Sequence, residues 1–329
     1  MPGFLIFLFL IFFAAIGLTW TMDAFARRRG LLFDRGVSLV GGIAVAFALV
    51  FVFWGGQFLP HPGFDRAAMI GPWALTVLIF GVLDDWKSSS VLQKFLWQFV
   101  CAAGLIFFGG GSHIALLGLA GNFIFSFVWI VGLTNALNLL DVSDGVCSGA
   151  VIAACAGVAL LALHSGSIDI LFMASGLAAG VAGFLFFNIP PAKVYLGNAG
   201  SHFSGFLLAA MSLALVGDAP CIPMGLGILI VFWLPLLETG CLVYFRLNKK
   251  ISPFDKSNDH LALRFLACRL SRGQAWLAMV TLAVFFSIAG VLVERFYTVM
   301  LASFIVAGVG IVTVLTVRLL FLMEGHGAQ

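Results

Sequence analysis

Long apolar runs dominate this chain and constrain its fold more than any other feature. They measure roughly 17–25 residues, which matches an α-helix that crosses a bilayer and exceeds a barrel strand. Of the 329 residues, 62% are hydrophobic and 9% are charged, and the mean hydropathy is +1.13. A soluble domain carries about 25% charged residues. The sequence therefore predicts an all-α, polytopic membrane helix bundle.

The hydropathy pattern predicts eleven spanning helices, with the N-terminus outside. The first run has no Lys or Arg before it and no small-residue cleavage site, which argues against a cleaved signal peptide. Because no long polar stretch or internal repeat is visible, we predict a single integral membrane domain over residues 1–329. The predicted spans are residues 3–21, 37–59, 68–83, 91–109, 114–133, 147–164, 168–187, 201–216, 223–246, 274–292 and 296–321.

Basic residues are concentrated in alternate connections between these spans. The opposite set of connections contains only Arg66 and Arg295. An excess of Lys and Arg marks the cytoplasmic side of a membrane protein. We therefore assign to the cytoplasm the connections at residues 22–36, 84–90, 134–146, 188–200 and 247–273, together with the C-terminus.

A row of amides and acids, at intervals of three, follows the fifth apolar run. It consists of Asn135, Asn138, Asp141 and Asp144. Polar groups this close to a bilayer are costly and are functional candidates. The pattern predicts a helix that ends near Asp141, with Asp144 and Gly145 in the following turn. Carboxylate and amide oxygens suit magnesium with substrate phosphates, and the plainer alternative is a polar network between helices.

The third span ends in the pair Asp84-Asp85. Adjacent helical residues point about 100° apart, so the two side chains cannot aim at one atom while the helix continues. Acids at a helix C-terminus oppose its dipole, which favours a functional role over a solvated helix end. Lys94 follows, with Gln98 one turn later, and is either a membrane-surface anchor or a point charge for a phosphate.

Two further cytoplasmic segments contain candidate residues. The glycine-rich segment 195–202 precedes the eighth span and is suited to phosphate, although glycine turns between helices are common. In the long connection 247–273, His260 and Arg264 would share a face if that stretch is helical. Glu238 is predicted to be a buried acid that pairs with a base or supports a bent helix. The six cysteines are interpreted as small core residues rather than disulfide or zinc ligands.

In order, these motifs resemble the polyprenyl-phosphate N-acetylhexosamine-1-phosphate transferases, and the resemblance covers most of the chain. The matching segments are Arg35 to Gly42, Asp84-Asp85, Lys94 with Gln98, the row Asn135 to Gly145, Leu196 to Ser201, and Ser252 to Arg264. Two departures are clear. The family's aspartate in its Met-Gly-Asp segment is Asn198 here, and of the family's His-x-His-His only His260 remains.

The resemblance implies transfer of a HexNAc-1-phosphate from a UDP-sugar to polyprenyl (undecaprenyl) phosphate, with Mg²⁺ or Mn²⁺, at the cytoplasmic face of a bacterial inner membrane. It implies catalytic roles for Asp84, Asp85, Asp141 and Asp144, and a metal site at Asp141 and Asn198. It implies substrate contacts by Lys94, Asn135, Asn138, His260 and Arg264. Asp84 would be a base or would position the lipid phosphate, and the two asparagines would lie on the nucleotide side.

Two other functions stay open from the sequence. One is a catalytically impaired relative that binds lipid-linked sugar, which the two departures motivate. The other is a secondary transporter, although transporters place their sites near the bilayer centre in repeated halves. The expected partners are the lipid bilayer, polyprenyl phosphate and a UDP-HexNAc, with no nucleic acid and with a homodimer left open. The identity of the sugar and of the downstream glycan is not indicated.

Overall fold

The protein is described by a computed structural model that covers residues 2–56, 65–112, 114, 117–218, 221–255 and 257–327. Its helices are α1 (Pro2–Arg29), α2 (Gly41–Gly56), α3 (Asp65–Trp86), α4 (Val91–Leu105), α5 (Gly118–Leu140), α6 (Val146–Ser165), α7 (Ile168–Asn188), α8 (Gly197–Asp218), α9 (Ile222–Val231), α10 (Trp233–Asn248), α11 (Leu261–Ala267), α12 (Arg272–Arg295) and α13 (Val299–Gly327). A two-stranded antiparallel ribbon, β1 (Phe33–Asp34) and β2 (Val37–Ser38), joins α1 to α2. The predicted all-α membrane bundle is confirmed.

Within these residues, nine helices are long and apolar enough to cross a membrane. Helices α9 and α10 form a tenth span that is bent by 62°. This pair covers the predicted span 223–246, for which a bent helix was one expectation, and Pro235 in the first turn of α10 explains the break. A proline lacks the N–H that a continuous helix needs, but it is tolerated in a first turn. Helix α2 lies within the second predicted span, 37–59, whose last residues lie outside the described ones.

The predicted span 91–109 agrees with the observed span Val91–Gly110, which consists of α4 and a wider turn over Ile106–Gly110, where Gly109 adopts φ 95°. One predicted helix start moves. Helix α8 begins at Gly197, four residues before the prediction, because Gly197 adopts φ 74° and the glycine-rich segment then continues as helix. The end of α5 at Leu140 and the turn at Gly145, with φ 71°, agree with the prediction.

Helix α8 lies at the centre of the bundle and is buried along most of its length. It packs against α2, α3, α5 and α6. Small residues allow these backbones to approach closely, as is common between membrane helices. A Cβ added at Gly42 of α2 would meet the backbone of Gly200, and one added at Gly81 of α3 would meet that of Ala199. The first turn of α8 is therefore held between α2 and α3.

Charged residues at the opposite end of the bundle pair with one another. Arg66 lies against Asp218 and, at 3.3 Å, against Asp169. His164 contacts the carboxylate of Glu294 at 2.6 Å. The polar sequence motifs lie at the other end, where α3 and α5 finish and α4, α6 and α8 begin. Four of the six cysteines are buried, as predicted for core residues, whereas Cys221 is exposed and Cys268 is half-buried.

Candidate active site

The two adjacent aspartates at the end of α3 point in different directions. The Oδ2 atom of Asp84 lies 2.6 Å from Nζ of Lys94, and its Oδ1 accepts the N–H of Ser89 at 2.7 Å. Asp84 is buried at 3% exposure, whereas Lys94 is partly exposed. Because α3 continues to Trp86, the helical geometry separates the pair in the way that the sequence predicts. Lys94, which was predicted to contact phosphate, is here the counter-ion of Asp84.

Asp85 caps the start of α8. Its Oδ1 accepts the N–H of Asn198 at 2.9 Å, and its Oδ2 accepts the N–H of Ala199 at 3.0 Å. The first N–H groups of a helix lack partners within the helix and carry a partial positive charge. The glycine-rich segment therefore provides an anion site, as its composition suggests, but a side chain of the same protein occupies these two N–H groups.

Asp141 lies immediately after α5, next to the same helix start. Burial, followed by repulsion from the Asp85 carboxylate, raises the pKa of Asp141 to about 7, and a hydrogen bond from the N–H of Gly197 opposes this. A carboxyl group whose ionisation is this unfavourable is typical of a site that binds a cation or a proton. Asp141 and Asp85, which are far apart in sequence, thus belong to one cluster.

Amide side chains line the neighbouring part of α5. Asn138 donates to Oδ1 of Asn198 at 2.8 Å and to Oγ of Ser201 at 2.9 Å. One turn earlier, Asn135 donates to Oε1 of Gln98 at 2.6 Å, which links α5 to α4. Asn138 therefore contacts the first turn of α8 directly, whereas Asn135 is part of an interhelical amide pair. The polar network proposed as the plainer alternative exists beside the acidic cluster.

The last member of the row, Asp144, faces another part of the protein. It accepts the N–H of Ala192 at 3.2 Å and lies 3.5 Å from Nη1 of Arg272 at the start of α12. The turn at Gly145 separates it from α5, so the interval of three does not continue as a helical face. The structure thus places Asp141 with Asp85, and Asp144 with the connection after α7.

The residues of the 247–273 connection form a second polar group. His260 Nδ1 lies 2.8 Å from Oε1 of the buried Glu238. Arg264 donates to Oδ1 of Asp259 at 2.7 Å and stacks over Phe245. Although burial favours the neutral carboxyl, hydrogen bonds from Lys249, Ser257 and Arg264 hold the pKa of Asp259 below its ordinary value.

The sequence left open whether His260 and Arg264 lie on one helix. His260 is the N-cap of α11 and Arg264 lies within it, and the backbone N–H of Arg264 donates to the C=O of His260 at 2.9 Å. The prediction that Glu238 pairs with a base is confirmed by its contact with His260. Sequence reasoning missed Asp259, whose position beside His260 in a long basic connection was the available signal. It also missed His202, which lies one turn into α8 and is buried.

The side chains of this cluster offer few ligands for a cation. Within the described part of the chain, no three His, Cys, Asp or Glu side chains are gathered in a metal-binding arrangement. The predicted pair Asp141 and Asn198 supplies one carboxylate and one amide oxygen. Magnesium commonly binds through one or two carboxylates, with waters and substrate phosphates as its remaining ligands. The residues therefore fit a cation that arrives with a phosphate-bearing substrate.

The fold and this cluster define a multi-pass membrane protein with a polar, acidic site at one end of its helix bundle. A family model, glycosyl transferase family 4, matches residues 68–216, which include the Asp84-Asp85 pair, the row of amides and acids, and the start of α8.

Curated relatives agree with that match. The chain is 29% identical over 284 residues to a probable undecaprenyl-phosphate N-acetylglucosaminyl 1-phosphate transferase of Bacillus subtilis, covering 83% of this chain and 77% of the relative. It is 28% identical over 288 residues to the phospho-N-acetylmuramoyl-pentapeptide-transferase of Streptococcus equi, covering 74% and 80%. It is 31% identical over 253 residues to the enzyme of that name from Streptococcus thermophilus, covering 67% and 70%.

The chain belongs to glycosyl transferase family 4, a family of transferases. The family resemblance that the motifs indicated is thereby confirmed, and the secondary transporter is disfavoured.

Proposed function

We propose that this protein transfers a HexNAc-1-phosphate from a UDP-sugar to polyprenyl (undecaprenyl) phosphate and releases UMP, as the first step in assembling a cell-envelope glycan. In this reaction an oxygen of the lipid phosphate attacks the phosphorus that bears the sugar, and the bond from that phosphorus to the UMP oxygen breaks. The observation that carries the proposal is the convergence of Asp85 and Asp141 on the start of α8, next to the Asp84–Lys94 ion pair at the end of α3.

The reaction brings together two phosphate-bearing substrates that repel each other. One is a lipid and the other is water-soluble, so the site must lie where the bundle meets water. Asp141 and Asn198 would hold Mg²⁺, which when bound supplies positive charge that offsets this repulsion. Lys94 is partly exposed and would turn from Asp84 to a substrate phosphate.

Most of the remaining residues position groups rather than react. Asp85 joins the first turn of α8 to the end of α3. Its bond to the N–H of Asn198 fixes the backbone position of that residue. Asn138 orients the side chain of Asn198 by donating to its oxygen, which leaves a lone pair for a cation. Asp84, freed from Lys94, would hold the lipid phosphate or accept its proton. His260 and Arg264, braced by Glu238 and Asp259, would contact the diphosphate or the sugar.

A groove beside α10 is suited to the tail of the lipid acceptor. It encloses about 450 Å³ between α10 and α13 and is lined mainly by apolar side chains, including Trp233, Tyr244 and Val317. An isoprenoid chain is apolar and would gain free energy from burial in such a groove. The 62° bend that separates α9 from α10 lies at one end of it.

The proposal is tested with the purified protein in proteoliposomes. Labelled UDP-GlcNAc or UDP-GalNAc is added with undecaprenyl phosphate, and label is followed into organic-extractable lipid. We expect an EDTA-sensitive labelled product and release of UMP, both lost in Asp141→Asn. Absence of product with every UDP-HexNAc tested would overturn the proposal.

Asn198 favours one other function, a relative that binds lipid-linked sugar without turnover. An amide carries one negative charge fewer than an aspartate at a cation site, which weakens cation binding. Asn198→Asp separates the two functions. If the parent is active, the variant needs a lower Mg²⁺ concentration for half-maximal rate. If the parent is inactive and the variant gains activity, the binding function is correct. The matched control is Gln274→Glu, which adds a charge at the start of α12 while keeping its capping box.

A further inference from the structure

His202 is a buried histidine that has no hydrogen-bond partner among the described residues. It lies in α8, it is 1% exposed, and neither Nδ1 nor Nε2 has a partner among the described residues. A neutral imidazole has one N–H donor and one acceptor nitrogen, and buried polar groups of this kind are nearly always paired. A side chain that serves only to fill space at this position would be apolar. The position of His202 therefore points to a polar partner that another state of the protein provides.

The ion pair at the end of α3 interacts with His202 electrostatically. Both Lys94 and Asp84 influence the charge state of its ring. A helical side chain leans toward the N-terminus of its helix, so the ring is directed toward the end of the bundle where the site lies. The first turn of α8 packs on α3 through Ala199 and Gly81. His202 is three residues after Ala199 and Asp84 is three residues after Gly81, so by helical spacing both lie on the sides of their helices that form this contact.

One carboxylate oxygen of Asp84 also lacks a hydrogen bond within the described residues. Its Oδ1 accepts the N–H of Ser89. Its Oδ2 is 2.6 Å from Nζ of Lys94, but within the described chain it takes part in no directed hydrogen bond. Removal of Lys94 from this pair would leave a buried carboxylate oxygen with no donor. Such an oxygen is strongly destabilised unless a donor replaces the lysine.

We propose that His202 is a positioning residue that holds Oδ2 of Asp84, directly or through one water, while a substrate phosphate engages Lys94. The exchange would let the lysine move to the phosphate without leaving Asp84 free to rotate. For its effect on catalysis this inference rests on the proposed transferase function. The contact between His202 and Asp84 is independent of the reaction and can be measured without it.

The contact is tested by NMR of the full-length protein labelled with ¹⁵N at its six histidines, with His202→Gln used to assign the signal. Lys94→Met removes the lysine permanently, so we expect the His202 ring nitrogens to shift toward a hydrogen-bonded donor. The double variant Lys94→Met/Asp84→Leu, which leaves no acceptor at position 84, should lose that shift. If the shift is absent in Lys94→Met, or persists in the double variant, the inference is wrong. This outcome is readable whether or not transferase activity is found.

The effect on catalysis is tested by steady-state kinetics. We expect His202→Leu to lower kcat about 10-fold or more with KM for the UDP-sugar within about 2-fold, because the contact forms only when the phosphate is engaged. His202→Gln keeps an N–H donor and should recover a large part of kcat. The control is Phe206→Leu, a buried change one turn along α8 that should lower the melting temperature and spare kcat. Equal losses in the Leu and Gln variants would overturn the inference and indicate a packing role.

Discussion

The carboxylate of Asp85, at the end of α3, accepts the backbone N–H of Asn198, in the first turn of α8, at 2.9 Å. A second bond from Asp85 to the N–H of Ala199 completes the cap. Helix α8 starts in a largely buried part of the protein, where its first N–H groups need partners from the protein itself. A carboxylate satisfies them and complements the helix dipole. The end of α3 and the start of α8 are consequently held as one unit, and this unit positions Asn198 beside Asp141.

Asp85→Asn should weaken this unit. An amide has a single acceptor oxygen and no charge, so one N–H of α8 loses its partner and the interaction with the dipole is reduced. We expect unfolding free energy to fall by about 1–2 kcal/mol and transferase rate to fall more than 10-fold. Melting temperature and the lipid-labelling assay measure the two effects. Asp34→Asn, at an exposed aspartate of the ribbon, is the matched control, and an equal loss there would contradict the prediction.

The Asp84–Lys94 pair allows stability and activity to be separated. Lys94→Met leaves a buried carboxylate without its cation, a change that commonly lowers stability by about 3–5 kcal/mol. Since Lys94 is 28% exposed, solvent screening reduces the loss, and we expect about 2 kcal/mol.

The double variant Asp84→Asn/Lys94→Met removes both charges and should recover most of the melting temperature while remaining inactive. A double variant as unstable as Lys94→Met alone would show that the ion pair is not the source of the loss.

The backbone contact between α2 and α8 should tolerate no side chain. In Gly42→Ala the new methyl group meets the Gly200 backbone, which belongs to a helix and cannot yield as a flexible side chain would. We expect α2 and α8 to separate, with lower melting temperature, lower yield in the membrane and loss of activity. Gly132→Ala, at a helical glycine with open space around it, should be neutral or slightly stabilising. Similar behaviour of the two variants would show that the close approach is unimportant.

The raised pKa of Asp141 predicts a pH dependence of stability. Between the ordinary aspartate value near 4 and about 7, the folded protein retains a proton that the unfolded chain has lost, so stability declines as pH rises through this window. The decline from this group is on the order of 4 kcal/mol.

Melting temperatures in EDTA, measured from pH 5 to pH 8 for the parent and Asp141→Asn, should diverge as pH rises, with the variant becoming the more stable. A constant difference would contradict the prediction. Under the proposed function, activity should rise with pH through about 7, because a cation binds the ionised form.

The sequence by itself determined the membrane bundle, the position of most helices and the residues worth testing. Whether a segment spans the bilayer, and in which orientation, depends mainly on its own apolar length and on the basic residues that flank it. Neighbouring segments have little effect on either property. Other features follow from local helical geometry, which also depends on nearby residues alone. They are the end of α5, the turn at Gly145 and the different directions of Asp84 and Asp85. The position of the break, at Phe232, and the early start of α8 were not predicted from the sequence. At both places the local residues are compatible with a turn and with a helix.

Only the tertiary structure decided which of the polar residues meet. Asp85 and Asn198 are separated by 113 positions, and nothing in their local sequence shows that one caps the other's helix. Similarly, Asn138, Asp141 and Asp144 follow one another at intervals of three. That spacing does not show that Asp144 points away from the other two, toward Arg272. Pairing between distant segments depends on how the helices pack. That packing is decided by the fit of small residues such as Gly42 against Gly200, which hydropathy does not encode.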